Sequence, residues 1–491
     1  MGSPLLLKNI MADVLIVYLP SPPRLNIFRD WAGGYGTALP SQREYPGHDQ
    51  QYFDVPQLQA LYMARLLKQG GASVAYQNLQ RRERFDFDAF IAGLQADPPK
   101  VIITSVSLPS LEDDLALLKA IKARLPVSIA LFGSIAKMFH ARILRERAAD
   151  AVIMQDEELV AASVAQAILS GDNAPAGAFY RSADGIAGTE APRRMTDLNF
   201  VDFPAYELLD FTQYESTYPF DKLMRYATVF TSRGCPYPCQ YCPYPLGFGK
   251  KVLYRSPELV LSDLRRLVGE FGVRFVVFRD QLLTLNRAHC EAIFQGMIRE
   301  KLPLIWLCET RYDLVDAELL RLMHDAGCRE INYGLETADE EAFATVGKGG
   351  AKQGLEYFGA MIQATKAAGI RCHTHLMLGL PNDSWPSIKR TIRFLRKNRP
   401  DSVQVAIFIP YPGTPLGEQL RRDGVARDDT FRDYTGFKAV IPTKYLSIDE
   451  INEARQYVYH VWDKTLLTRL MNRVKRWVGH EARKQKNSAV E

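Results

Sequence analysis

Apolar and polar positions fall into two alternating series separated by an irregular stretch. From Ala12 to about Gly171, short apolar runs predict strands at Val14–Leu19, Ser73–Gln77, Val101–Ser105, Ile129–Phe132 and Ala151–Met154. Between them, apolar residues return at helical spacing over Val55–Gln69, Phe87–Ala96, Leu111–Arg124, His140–Arg147 and Glu158–Leu169. Strands alternating with helices of about 10–15 residues predict a doubly wound parallel sheet. Ligands of such sheets lie beyond the carboxyl ends of the strands. The loop from Pro20 to Asp54 is unusually long and carries Gly33-Gly34-Tyr35-Gly36 beside Trp31. A loop of that length is either functional or an ordinary flexible connection.

Residues 172–226 are rich in Ala, Gly, Asp and Pro, show little periodicity, and read as a linker. The alternation then resumes. Strands are expected at Thr228–Thr231, Phe275–Phe278, Ile305–Glu309, Glu330–Tyr333, His373–Leu378 and Ser402–Ile409. The intervening helices are Pro257–Glu270, Arg287–Glu300, Asp316–Ala326, Glu340–Val346, Gly354–Ala368 and Ser384–Arg396. Six strand–helix units predict a partial (β/α)6 barrel over 227–422 rather than a full eight-unit one. Residues 423–491 form a C-terminal extension whose segment Val461–Val478 is apolar on one side and basic on the other. That helix either packs on the barrel or lies on an anionic membrane surface.

The length of 491 residues suits two or three domains, and 47% hydrophobic with 24% charged residues excludes wholesale disorder. Lys and Arg exceed Asp and Glu by 61 − 56 = 5, too mild a balance for a dedicated nucleic-acid binder. No run of about 18 apolar residues occurs, so a cytoplasmic protein is expected, with peripheral contact at the inner membrane surface if the terminal helix makes one. The start lacks a signal-peptide pattern. Met1-Gly-Ser reads as an expression remnant or ragged start, with Met11 as a native start.

Three of the seven cysteines, Cys235, Cys239 and Cys242, sit within eight residues, directly after the first barrel strand. Reactive residues of a parallel barrel belong at that end of its strands. Three thiolates suit an iron–sulfur cubane with one iron left open. A structural zinc site wants four closed ligands, usually in paired CxxC halves, and a dithiol exchange site wants two cysteines.

CxxxCxxC within Gly-Cys235-Pro-Tyr, at the end of the first strand of a six-unit barrel, resembles the radical S-adenosylmethionine superfamily. The resemblance implies a 4Fe–4S cluster that binds S-adenosylmethionine and a small-molecule or lipid substrate. An external one-electron donor, a flavodoxin or ferredoxin, would reduce the cluster, whose cleavage of the cofactor yields a 5′-deoxyadenosyl radical. Phe278-Arg-Asp280-Gln281 resembles the segment that contacts the methionyl amino group, with Asp280 as the candidate. Tyr333-Gly-Leu-Glu336-Thr337 resembles the segment whose acid binds the ribose or methionyl end. Leu376-Met-Leu-Gly379-Leu-Pro381 resembles the adenine-binding segment. Glu309-Thr310-Arg311 ends the third strand, where polar groups often face cofactor or substrate. Arg311 is a catalytic candidate there, since an inward arginine at a strand end needs a carboxylate partner.

Pro410-Tyr-Pro-Gly413-Thr-Pro-Leu416, and a doubly wound domain ahead of the barrel, resemble the cobalamin-binding branch of that superfamily. Phe132-Gly133-Ser134 looks like its glycine turn and Asp156-Glu157 like its acidic turn, which implies cobalamin contacts at Gly133, Ser134, Asp156 and Glu157. The usual Gly-Gly and Gly-Glu pairs are altered, and no DxHxxG motif supplies a histidine to cobalt. The Gly33–Gly36 loop then either covers a corrin or closes the substrate cavity. His373 and His375 share one strand face, and His375 is the candidate to bind substrate or relay protons. The resemblance implies methyl transfer to an unactivated carbon of a secondary-metabolite, lipid or pigment precursor, or a cyclisation or rearrangement. The alternatives are a cobalamin-free radical oxidase or mutase and a non-catalytic sensing protein.

Overall fold

The computed structural model describes residues 12–22, 25–39, 55–80, 85–172, 175–182, 185–190, 195–217, 222–345, 354–427 and 431–462. Both predicted series fold into the layers their patterns require. In the first, β1 (Val14–Tyr18), β2 (Val74–Asn78), β3 (Val101–Ser105), β4 (Ser128–Phe132) and β5 (Ala151–Ile153) form a parallel sheet in the order β2-β1-β3-β4-β5. Strands β1, β3 and β5 are buried along their whole length, because helices cover both faces. The order reverses between β1 and β3, and a crevice at such a switch point is where doubly wound sheets hold ligands.

The stretch read as a linker is more structured than its composition suggests. Ala178–Ser182 (β6) pairs antiparallel with β5 and continues into Gly185–Thr189 (β7), extending the first sheet. Downstream, Leu198, Val201, Phe203, Tyr206 and Tyr214 are buried in the barrel's own core. They enter that core singly from turns and short 3-10 segments, so no helical or strand period marks them in the sequence.

The second sheet runs β8 (Met224–Val229), β9 (Phe275–Phe278), β10 (Ile305–Thr310), β11 (Cys328–Glu336), β12 (Arg371–Leu378) and β13 (Ser402–Ile407). These six strands are parallel and neighbours in sequence order, forming the expected half-barrel. The crossover helices start where the sequence supplies a cap. Ser256, Asn286, Asp316 and Ser384 each accept a backbone N–H of the first turn, and Ser384 forms a reciprocal capping box with Ser387. Along β12 and β13 burial alternates strictly. Cys372, Leu376, Leu378, Val403 and Val405 pack under the helices, while His373, His375, Ser402 and Gln404 face the concave side.

An open half-barrel leaves β13 with an unpaired edge. The C-terminal segment covers it. Ile407 N donates to Gly436 O at 2.7 Å, Val405 N to the Tyr459 hydroxyl at 2.9 Å, and Arg455 Nε to Val405 O at 2.9 Å. Helix Ile448–Trp462 seats Ile451, Ala454 and Val458 in the same core. Among the described residues no helix is long and apolar enough to cross a membrane. The basic helix expected over Val461–Val478 lies outside the described residues beyond position 462.

Candidate functional site

The cysteine loop grows from β8 and is fastened at its base before it reaches the first thiol. Asp280, just past β9, is 1% exposed and accepts from Thr231 N at 3.0 Å, Thr231 Oγ1 at 2.6 Å and Ser232 Oγ at 2.6 Å. Asp280, expected as a cofactor contact, is thus the anchor of the cysteine loop. Ser232–Arg233 then pairs with Leu253–Tyr254 as a short antiparallel ribbon, and Cys235 N donates to Gly249 O at 3.1 Å. Gly234 has φ +112°, and a Cβ there would lie 2.3 Å from Lys251 O. The loop can close on itself only with glycine at that position.

Backbone amides address the sulfurs. The Tyr237 N–H faces Cys235, and the Tyr244 N–H faces Cys242. Burial pushes the Cys242 thiol up to about 12, and the neighbouring Cys239 and Cys235 add to the rise. Burial also raises Cys235, against the pull of Arg311. Cys235 and Cys242 therefore resist ionising unless a cation joins them, the charge balance a metal or cluster provides. Among the described residues no three His, Cys, Asp or Glu side chains gather tightly enough for a single ion.

Tyr241, between the second and third cysteines, ties the loop to the opposite wall. Its hydroxyl donates to Glu336 Oε1 at 3.0 Å. Glu336 ends β11 after a register shift and holds φ +65°, left-handed for a residue with a side chain. Such a conformation costs about 1–2 kcal/mol and concentrates at functional sites. At the next strand end, Gly379 (φ +83°) opens the turn that runs through Pro381, and Asp383 accepts from Gly379 N at 2.9 Å and Leu380 N at 3.1 Å.

Burial raises the Asp383 carboxyl to about 7 against its usual 3.8, outweighing those two amides. A folded-state value above the unfolded one means the folded protein binds the extra proton. This contribution is full below about pH 4 and is lost as pH rises to about 7, at roughly 1.4 kcal/mol per pH unit at most. Urea unfolding between pH 5 and 8 is expected to show wild type losing more stability than Asp383→Asn; parallel curves would refute it.

His373 and His375 stack edge to face with ring centroids 4.7 Å apart, and His373 Nδ1 lies 2.7 Å from Ser402 Oγ. Burial, then His375 and Arg371, hold His373 well below the usual imidazole range. In register beside His373 on the concave face are Asn332 and, one strand further, Glu309. The Asn332 amide oxygen is buried with no hydrogen-bond partner. Glu309 is marked in the sequence by its place at a strand end, but Asn332 is not, since a lone polar residue in a strand shows its face only once registers are known. Arg311 does find the carboxylate it needs, but within its own turn. Nε and Nη2 donate to Asp313 Oδ1 and Oδ2 at 2.8 Å each. That bidentate engagement holds the guanidinium against its own turn.

At the carboxyl ends of the first sheet, Gly133 (φ +96°) turns the chain into Ser134. Three side chains expected as cofactor contacts are otherwise engaged. Ser134 Oγ donates to Gly33 O at 2.6 Å, Asp156 Oδ2 accepts from Met195 N at 3.1 Å, and Glu157 pairs with Lys137 and accepts from Gln59 Nε2 at 2.8 Å. Next to them, fully buried Glu158 pairs with Arg233, two residues ahead of Cys235. The first domain and the cysteine loop thus share one buried ion pair, a contact no sequence spacing announces.

The glycine loop lies between these two parts. A Cβ on Gly33 (φ +65°) would sit 2.5 Å from Tyr244 Cα, and one on Gly247 would sit 2.0 Å from Gly33 O. Backbone meets backbone, so neither side can yield. Gly33→Ala is expected to destabilise the protein by about 2–4 kcal/mol, combining left-handed strain with overpacking. A urea midpoint equal to that of wild type would show that the loop does not make this contact. Two buried polar atoms of this domain, Trp31 Nε1 and Gln155 Oε1, have no hydrogen-bond partner among the described residues.

Residues 229–395 match the family model of the radical SAM superfamily. The chain is 27% identical over 315 residues to an uncharacterized methyltransferase of Pyrococcus horikoshii, covering 63% of this chain and 66% of the relative. It is 26% identical over 356 residues to the anaerobic magnesium-protoporphyrin IX monomethyl ester cyclase of Cereibacter sphaeroides, covering 70% and 56%. To the hopanoid C-3 methylase of Methylococcus capsulatus it is 25% identical over 389 residues, covering 78% and 72%. The chain thus spans 66% and 56% of the first two relatives' lengths. Among solved structures, the methyltransferase TsrM of Kitasatospora setae, with cobalamin and a [4Fe–4S] cluster bound, superposes with a TM-score of 0.63 at 15% identity, over 85% of this chain and 79% of that one. The cobalamin-dependent enzyme OxsB, bound to aqua-cobalamin and S-adenosylmethionine, gives 0.61 at 15% identity, over 92% and 61%. These likenesses concern the fold, which spans both domains.

Proposed function

We propose that this chain, whose residues 229–395 match the radical SAM superfamily model, is an enzyme that uses a 4Fe–4S cluster, S-adenosylmethionine and cobalamin to methylate, cyclise or rearrange a small-molecule precursor. The observation that carries this reading is the cysteine loop at the mouth of the half-barrel, tied to left-handed Glu336 through Tyr241 and to the first domain through Arg233 and Glu158.

The residues present fit the first two groups. Cys235, Cys239 and Cys242 would hold three irons, with the Tyr237 and Tyr244 amides as donors to sulfur. Glu336 and the Gly379–Pro381 turn, at adjacent strand ends, would hold S-adenosylmethionine. For cobalamin the fit rests on the switch-point sheet, the Gly133 turn, and the Trp31 and Gln155 atoms of the same domain, unpartnered among the described residues. When bound, the cluster and S-adenosylmethionine supply a 5′-deoxyadenosyl radical, and cobalamin supplies a methyl group. The chain's own part is positional. Asp280 fixes the loop, Tyr241 sets its distance from β11, and the Glu309, Asn332 and His373 face offers a hydrogen-bonding wall to a substrate inside the barrel.

Relatives that methylate hopanoids and cyclise a tetrapyrrole support a lipid or pigment precursor as substrate. An external one-electron donor would reduce the cluster, and seven free cysteines suit a reducing compartment such as the cytoplasm.

A cobalamin-free radical enzyme is the second reading. The engagement of Ser134, Asp156 and Glu157 by the protein itself favours it. Protein purified without oxygen from a cobalamin-fed host decides between them by its cobalt-to-iron ratio. The first reading expects about one cobalt per four irons, and 5′-deoxyadenosine after reduction. Iron without cobalt selects the second, and neither metal overturns both.

A further inference from the structure

Arg311 leaves β10 facing the cysteine loop. It is 6% exposed, and its guanidinium carbon lies 4.0 Å from the centre of the Tyr237 ring, between the first two cysteines. Its charge reaches the Cys235 and Cys239 sulfurs. Asp313 grips Nε and Nη2 from behind at 2.8 Å each, so the fork cannot swing toward a ligand. A guanidinium stays ionised at any working pH, and a ring face attracts it without neutralising it. Arg311 is therefore a fixed positive charge aimed at the cysteine loop, with an equally fixed negative charge at its back.

We propose that the Arg311–Asp313 pair sets the reduction potential of the cluster held by Cys235, Cys239 and Cys242, with Arg311 raising it and Asp313 tempering the rise. The inference rests on the cluster assignment above. Reduction adds one electron, hence one negative charge, to the cluster. A cation held nearby where water is excluded stabilises that charge, and an anion opposes it. Arg311 acts through Tyr237 and the loop, which makes it a positioning residue.

The full chain, reconstituted without oxygen and without S-adenosylmethionine, is titrated with dithionite through redox mediators while the reduced cluster is followed by electron paramagnetic resonance. Iron content is measured on every sample. Wild type, Arg311→Met, Arg311→Lys and Asp313→Asn are compared. With iron content unchanged, Arg311→Met is expected to have an about tenfold lower ratio of reduced to oxidised cluster at the wild-type midpoint, a shift of about 59 mV to more negative potential. Asp313→Asn shifts the opposite way, and Arg311→Lys falls between Arg311→Met and wild type.

A merely structural pair gives a different pattern. Both Arg311→Met and Asp313→Asn then lose iron or shift in the same direction, and either result overturns the proposal. Equal potentials for wild type and Arg311→Met overturn it too, and should Arg311→Met not fold, Arg311→Lys at or beyond the wild-type potential does so. Wild-type protein that takes up no cluster refutes the cluster assignment itself, a failure separable from the others by iron content alone.

Discussion

Cys239→Ala is expected to leave the protein folded and to lower both iron uptake and 5′-deoxyadenosine formation at least a hundredfold. The middle cysteine of the loop contributes little to the core. It is half-buried, and several hydrogen bonds that do not use its thiol shape the loop: Cys242 N to Cys239 O, Cys235 N to Gly249 O, Tyr241 to Glu336, and Thr231 and Ser232 to Asp280. Its removal takes away one of three thiolates and leaves two, too few to hold a cubane against loss of iron. Circular dichroism and the unfolding midpoint report the fold, iron and sulfide analysis report the cluster, and product chromatography reports cleavage. A variant with full iron and full 5′-deoxyadenosine yield would remove the cysteine loop from the chemistry.

Glu158→Ala carries the largest expected cost in stability. Glu158 opens the helix Glu157–Ser170 of the first domain at 0% exposure, and Arg233 in the cysteine loop is 6% exposed. The guanidinium also donates to Met195 Sδ at 3.0 Å and lies 5.9 Å from the Phe248 ring. Removing one member of such a pair strands the other charge, which costs about 3–5 kcal/mol, whereas replacing both by apolar residues is often near neutral. Glu158→Ala should therefore destabilise strongly, and the double variant Glu158→Met with Arg233→Met should recover most of the loss. Because Arg233 stands two residues before Cys235, the single variant is also expected to hold iron less tightly. A cost below about 1 kcal/mol in urea titration would show that water reaches the pair.

The half-barrel was open to sequence reading because each unit is local. Cys372, Leu376 and Leu378 alternate with His373, His375 and Met377 along one strand, and Ser256, Asn286, Asp316 and Ser384 announce the helices that follow. The cysteine loop was equally plain, since its three donors fall within eight residues. The connector at 195–214 was not, because its buried aromatics come singly from turns. Asp280 and Arg311 were noticed for their chemistry, but the partners that hold them were not. Whether a carboxyl or a guanidinium faces a ligand depends on which neighbours have already satisfied it, here Thr231 and Ser232 for one and Asp313 for the other. Asp313, two residues from Arg311, was within reach of the sequence argument that an inward arginine needs a carboxylate.

By itself the sequence determined the two parallel α/β layers, their order along the chain and the position of the thiol cluster at a strand end. All of these follow from periodicity and short-range spacing, which side chains impose on the backbone next to them. Tertiary structure alone decided how the first domain meets the cysteine loop: Glu158 on Arg233, Gly33 against Tyr244, Ser134 on Gly33. It also placed Asn332 beside His373 and turned Glu336 left-handed toward Tyr241. Those contacts join residues tens to hundreds of positions apart. Their energies come from exclusion of water and close approach of backbones, conditions that exist only after the layers have packed.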